Sequence, residues 1–310
     1  NDLDAITITG NLDLDAAIAN TTSISVSGTS NLGANVTTSS TQTYTGATTL
    51  SSGDRTLTGT TMNFVSTVAG GSNALAISGN LDLDGAATGL TSLTVSGTSN
   101  LGANVTTSGI QTYTGATTLS GGDRTLTGST ITITSTLAGG NNALVITGDL
   151  EIDDDATGLS TLSVSGTTDL GGDVTTSGTQ TYTGAVTLST GDRTLTGSTV
   201  NFVSTLAGGT NALTITGNLD LDDTASGIST LSVSGTSNLG ANVTTSGTQT
   251  YTGATVLSTD VTLTTTDSNV TFSSTVDGDG TARDLIIDTN GNTGTILFDG
   301  LVGNSNDLDA

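Results

Sequence analysis

The residues whose types and spacing could do chemistry are carboxylates. Asp13 and Asp15, Asp82 and Asp84, Glu151 and Asp153, and Asp220 and Asp222 recur as Leu-Asp-Leu-Asp or its Leu-Glu-Ile-Asp variant. On a strand, alternation puts both acids of a pair on one outer face about 7 Å apart, a spacing that suits oxygen-ligated calcium. Four turns between successive pairs would separate them by about 19 Å, well beyond a Debye length of about 8 Å, so the pairs hardly repel and need no cation. A solvated acidic face is the preferred account.

A denser group lies near the end. Asp277, Asp279 and Asp284 fall in "DGDGTARD", and Asp288, Asn290 and Asn292 in "DTNGNTG". Alternating carboxylate and amide oxygens in a Gly-rich loop could converge on one ion, which makes these six the candidate calcium ligands. Thr293 stands where an EF-hand loop requires glycine, and ordinary Asp/Asn/Gly turns explain the same residues. No cofactor is required by the sequence, and calcium is the one ion it offers a place.

Other repeated residues carry simpler readings. Asp54–Arg55, Asp123–Arg124 and Asp192–Arg193 read as a repeated surface ion pair worth at most about 1 kcal/mol. Tyr44, Tyr113, Tyr182 and Tyr251 could stack on a glycan, but with Thr on both sides each is expected to point inward as the largest filler of its turn. Thr-x-Thr triplets at Thr181–Thr183, Thr194–Thr196 and Thr214–Thr216 suggest an ice-binding face, yet their uneven steps argue against the one-per-turn register that such a face needs. The sequons at Asn20, Asn35, Asn104, Asn242 and Asn269 are read as turn-forming asparagines, with Asp173 in the equivalent place of the third copy. A β-helix enzyme needs carboxylates gathered in an irregular groove; acids in repeated positions between short loops lead us to expect no enzyme.

Composition narrows the elements that must position these residues. Aromatics make up 3% of the chain, and Pro, Cys, His and Trp are absent. With its four basic residues all arginine, it also lacks lysine. Such a chain can fill only a thin core of small and β-branched aliphatics. A net charge of −24 with four scattered arginines argues against nucleic acid and against an anionic membrane as partners. No apolar run is long enough to insert in a membrane.

An undrifting period then organises the whole chain. The four tyrosines keep one constant interval, and Arg55, Arg124 and Arg193 keep the same one, as do Gly10, Gly79, Gly148 and Gly217. Within each copy, apolar residues alternate with Thr, Ser, Asn or Asp over short runs broken by Gly-rich turns, and helical periodicity is absent. Shorter recurrences, such as Val164, Tyr182 and Val200, divide each copy into four turns of about 17–18 residues; three turns of about 23 fit less well. The expected fold is all-β, a parallel β-helix (β-solenoid). Residues 1–259 hold four repeats of 69-residue period, 260–305 are divergent turns closing a super-repeat of 305, and 306–310 restart it, repeating "NDLDA" from residues 1–5. No turn can bury its own apolar face, so stacking must supply stability.

These phrases, "LSVSGTSNLGANVTTSGTQTYTGAVTLSTGDRTLTGSTVNF" with "TVDGDGTARDLIIDT", resemble the repeat regions of very large secreted bacterial proteins of the filamentous haemagglutinin type. The resemblance covers nearly the whole chain and rests on repeat style. It implies right-handed parallel β-helices serving as adhesins or extracellular filaments, located outside the cell or on its surface. The expected function is a structural solenoid segment in adhesion, matrix or fibre formation. Its expected partners are further copies, by self-association or by continuation of the same chain, and a surface glycan or cell-surface receptor. A calcium- or glycan-binding adhesive module is the alternative, and an ice-binding solenoid a distant one.

Overall fold

Alternation dictates the local structure. Val36–Thr38 and Gln42–Tyr44 each bury their first and third side chains and turn the middle one outward, and this three-residue pattern recurs through the chain. The strands are too short to bury anything alone, so each lies in parallel on the strand one turn earlier. The computed structural model describes residues 3–291 and 293–303, so Asn292 and the restart at 306–310 lie outside it.

The chain forms two compact units, Asn1–Gly158 and Leu159–Ala310. Each is a β-solenoid, with no helix among the described residues, and together they hold about 15 turns of roughly 19 residues. Three inward columns form the core of each unit. In the first unit, one column runs Val26, Tyr44, Phe64, Leu83, Leu101, Leu119. A second runs Val36, Leu57, Ile77, Val95, Tyr113, Ile133, Ile152. The third contains Val68, Ala87, Val105, Leu126 and Ile146. The second unit repeats the scheme, with Tyr182, Phe202, Leu221 and Leu239 in one column and Leu195, Ile215, Val233, Tyr251 and Phe272 in another.

The β-solenoid is as the sequence predicts, but its turns are longer and less even. Tyr44 pairs with Phe64, Phe64 with Leu83, and Leu83 with Leu101, so that of these three turns the second is shorter than the first and the third shorter than the second. Residues added at corners do not disturb the alternation, which is why counting apolar recurrences underestimates the turn. Register shifts between Thr58 and Thr61 and between Thr127 and Thr130 mark such corners. Gly79 and Gly148 close them with φ of 146° and 134°, and a Cβ on either would strike the carbonyl oxygen of Gly59 or Gly128.

One repeat copy is therefore not four turns. Three turns carry Tyr44 to Leu101, and a further two strands reach Tyr113 in the next column. A copy spans about three and two-thirds turns, so equivalent residues occupy different faces within a unit. In the divergent segment the turns lengthen further, Val261 pairing with Leu285 and Val270 with Ile296.

Candidate functional site

The tyrosines point inward. All four are fully buried, and three lie flat on the next ring of their column: Tyr44 on Phe64, Tyr182 on Phe202 and Tyr251 on Phe272, with centroids 5.1–5.5 Å apart. Each hydroxyl donates to the Gln two positions earlier, Tyr182 to Gln180 Oε1 at 2.9 Å. The Gln is buried too, and its amide donates to the backbone carbonyls of Val174 and Thr196 at 3.0 and 2.8 Å. The same network recurs at Gln42, Gln111 and Gln249. Burial pushes every tyrosine hydroxyl far above its ordinary pKa. This is an internal brace with no surface for a glycan. Sequence reasoning found the tyrosines and missed their partners, although Gln-x-Tyr keeps the same period.

The acidic pairs are less free than a solvated face implies. Asn31, one turn beyond Asp13, donates its side-chain amide to that carboxylate at 2.8 Å, and Asn100 and Asn238 do the same for Asp82 and Asp220. At Glu151 the donor is Thr132, at 3.1 Å. The pKa of Asp222 is raised, first by burial and then by the neighbouring Asp220. Shallow depressions of about 460 and 370 Å³ open over the Asp82 and Asp220 ladders. Their recurrence at equivalent places in two copies argues for repeat geometry rather than one special site.

The adjacent Asp–Arg pairs do not form. Asp54, Asp123 and Asp192 instead accept the backbone N–H of Ala74, Ala143 and Ala212 on the following turn, each at 2.8 Å. Their arginines donate to carbonyls: Arg55 to Ser51, Arg124 to Leu101 and Ser120, Arg193 to Gly191. Arg193 also lies 3.6 Å from Asp173. On a strand, neighbouring side chains face opposite ways, which is why an i, i+1 pair is the wrong unit. The sequon asparagines Asn35, Asn104, Asn242 and Asn269 accept the N–H of Thr56, Thr125, Thr262 and Thr295. Asp173 does this for Thr194, which explains its tolerance there, since only an acceptor oxygen is used.

The calcium candidates are placed as follows. Asp279 takes two hydrogen bonds from Arg283, at 3.1 and 2.8 Å, and these hold its carboxyl below the usual range. Asp288 Oδ1 accepts the N–H of Asn290 in a local turn, and Asp277 lies on the strand Val276–Gly278. Asp284 accepts the Val261 N–H at its backbone carbonyl. Among the described residues, no group of three or more acidic side chains is gathered as a metal would need.

The Thr-x-Thr triplets change their meaning. Thr194 pairs with Thr214, Thr214 with Ser232, Ser232 with Thr250, and Thr250 with Thr271. A second rank runs beside it: Thr196 pairs with Thr216, and Ser234, Thr252 and Ser273 follow, each donating its backbone N–H to the core residue one turn earlier. The steps are uneven in sequence and in register in space. Five successive turns of the second unit thus present hydroxyl pairs on one face, about 4.8 Å between turns and about 7 Å along each strand. Thr181–Thr183 belongs to another face, pairing with Asn201.

What these groups can do chemically is hold turns together and present regular polar surfaces. No family model, curated protein or solved structure matches the chain.

Proposed function

We propose that this chain is a load-bearing segment of an extracellular β-solenoid filament, with a mechanical role in adhesion, matrix or fibre formation. The observation that carries this reading is where the repeats differ and agree. What recurs is interior: the Gln–Tyr brace, the aliphatic columns and the corner glycines. What lies outside is moved to another face from one copy to the next within a unit, a poor way to build a receptor site and a sound way to build uniform length. An acidic exterior without lysine supports solubility and repulsion between neighbouring filaments. Resemblance to large secreted bacterial repeat proteins supports the location outside the cell.

Electron microscopy of the native material, with and without a calcium chelator, tests the proposal, alongside antibody labelling of intact cells. Long thin fibres at the surface, unchanged by chelation, are expected. Fibres that separate on chelation would favour a calcium-dependent adhesive module, and labelling only after lysis would remove the extracellular role.

The two hydroxyl ranks of the second unit favour a second reading, an ice-binding face. A flat lattice of Thr and Ser at these two spacings can order water in a sheet. Inhibition of ice recrystallisation by the isolated chain, lost when Thr214 and Thr250 are replaced by Lys, would support it; no inhibition would remove it.

A further inference from the structure

Among the described residues, the first strands of the first unit and the last strands of the second pair on one side only, and their residue patterns match. At the far end, Leu285–Asp288 pairs with Val261–Thr264 and Ile296–Phe298 with Val270–Phe272, and among the described residues no strand covers their other side. Ile296, Phe298 and Val302 are 42%, 38% and 46% exposed, whereas Val270, Phe272 and Val276, one turn below them, are buried. Phe298 stacks on Phe272 at 5.2 Å with its opposite ring face uncovered by any described strand. At the near end, Leu3–Ile8 and Leu12–Leu14 likewise pair on one side only, with Ile18–Val26 and Ser30–Leu32.

Internal repetition specifies what belongs on each edge. Leu57 is followed in its column by Ile77, Met62 by Leu81, and Phe64 by Leu83. In the third copy, Leu195 is followed by Ile215, Val200 by Leu219, and Phe202 by Leu221. In both copies the turn that carries this Leu and Phe is followed by "I-x-G-N-L-D-L", whereas in the fourth copy Leu263, Val270 and Phe272 are followed by Ile287, Ile296 and Phe298. That last turn keeps the Phe, with Ile287 in place of the Leu, and among the described residues it has no successor. Ile8–Leu14 lies in the remaining "ITGNLDL", with nothing beneath it among the described residues. Gly10 agrees: at the equivalent Gly79, Gly148 and Gly217 a Cβ would meet the carbonyl of the turn below, while at Gly10 nothing lies within 4 Å.

We infer that the Leu285–Val302 edge of one copy receives the Leu3–Ile18 edge of a second copy, head to tail. Ile8 sits on Ile287, Leu12 on Ile296 and Leu14 on Phe298, in parallel and in the register used inside each unit. The contact is heterologous, so it does not close and it propagates. Both ends belong to an acidic chain, so salt strengthens the association by screening.

This assembly rests on the filament reading, and the test separates the two. The full chain is studied by analytical ultracentrifugation over a range of concentration and salt, with circular dichroism in parallel. Wild type is expected to form a ladder of species growing with both. Ile8→Lys with Leu14→Lys, and Ile287→Lys with Phe298→Lys, each lose every species above monomer alone. Mixed in equal amounts, the two variants form a dimer and stop there, because each retains one intact edge. Folded wild-type protein that stays monomeric throughout overturns the docking and leaves the filament reading standing. Variants that each dimerise with themselves also overturn it, since the contact is then like with like. A chain that lacks β-structure in isolation removes the filament reading itself.

Discussion

Raising the pH should unfold this protein through its tyrosines. All four phenols are fully buried, hydrogen-bonded to a glutamine that is itself held by two carbonyls, and their ionisation is pushed far above the ordinary value of 10.0. In the unfolded chain they titrate normally. A group whose folded pKa is raised contributes stability that is present below the unfolded pKa and lost as pH rises beyond it. Each tyrosine therefore removes about 1.4 kcal/mol per pH unit above 10. Each unit contains two of them. By pH 12 the loss per unit is about 5 kcal/mol, comparable with the whole stability of an ordinary domain at about 5–15 kcal/mol. The window is unusually clean, because the chain has no lysine, cysteine or tryptophan to titrate or absorb there. Near-ultraviolet absorbance of tyrosinate and far-ultraviolet circular dichroism should be followed together from pH 9 to 12.5. Tyrosinate should stay absent past pH 10 and then appear in one cooperative step with loss of β-structure. Smooth ionisation centred near 10 with the dichroism unchanged would refute the buried brace and the columns built on it.

Four further outcomes are expected. Gln180→Leu strands a buried tyrosine hydroxyl and two carbonyls, so it should cost about 2–4 kcal/mol in denaturant unfolding, whereas Asn238→Ala on the outer ladder should cost no more than about 1 kcal/mol. Gly148→Ala should destabilise by at least about 2 kcal/mol through both its φ and the Gly128 carbonyl, while Gly10→Ala leaves an isolated chain's melting temperature unchanged. Asp222→Asn should raise stability at neutral pH by less than about 1 kcal/mol and remove a small loss that sets in as pH rises through the aspartate range, because the carboxyl has a raised folded pKa. Chelator should leave the melting temperature of the isolated chain unchanged; a rise of several degrees on adding calcium would identify the Asp277–Asn292 region as a metal site.

Much of the architecture is legible in the residues because a solenoid writes its period directly. Alternation around Ile24, Val26 and Tyr44 identifies strands with one wet face, and the fixed step between tyrosines identifies repetition. The turn length is harder to read, since corner residues such as Gly59 and Thr60 add length without altering which side chains face inward. That error propagates: with four turns per copy the acidic pairs stack on one face, and with three and two-thirds they do not. It also hides the hydroxyl ranks, because Thr194, Thr214 and Ser232 are separated by turns of different length. Partners across turns are invisible for a related reason. Asp13 and Asn31, or Asp54 and Ala74, are neighbours only once the register is known.

The fractional number of turns per copy has an evolutionary consequence. Unequal recombination between such similar stretches adds or deletes a whole copy, and every inward residue still finds a compatible partner, so length can drift while the ladder heals. The azimuth does not heal. Beyond the new junction, each exposed side chain is swung to a different flank, and only a change of three copies restores the original facing. Length is thus free to evolve in single steps, while any surface that must face a fixed direction is held to multiples of three.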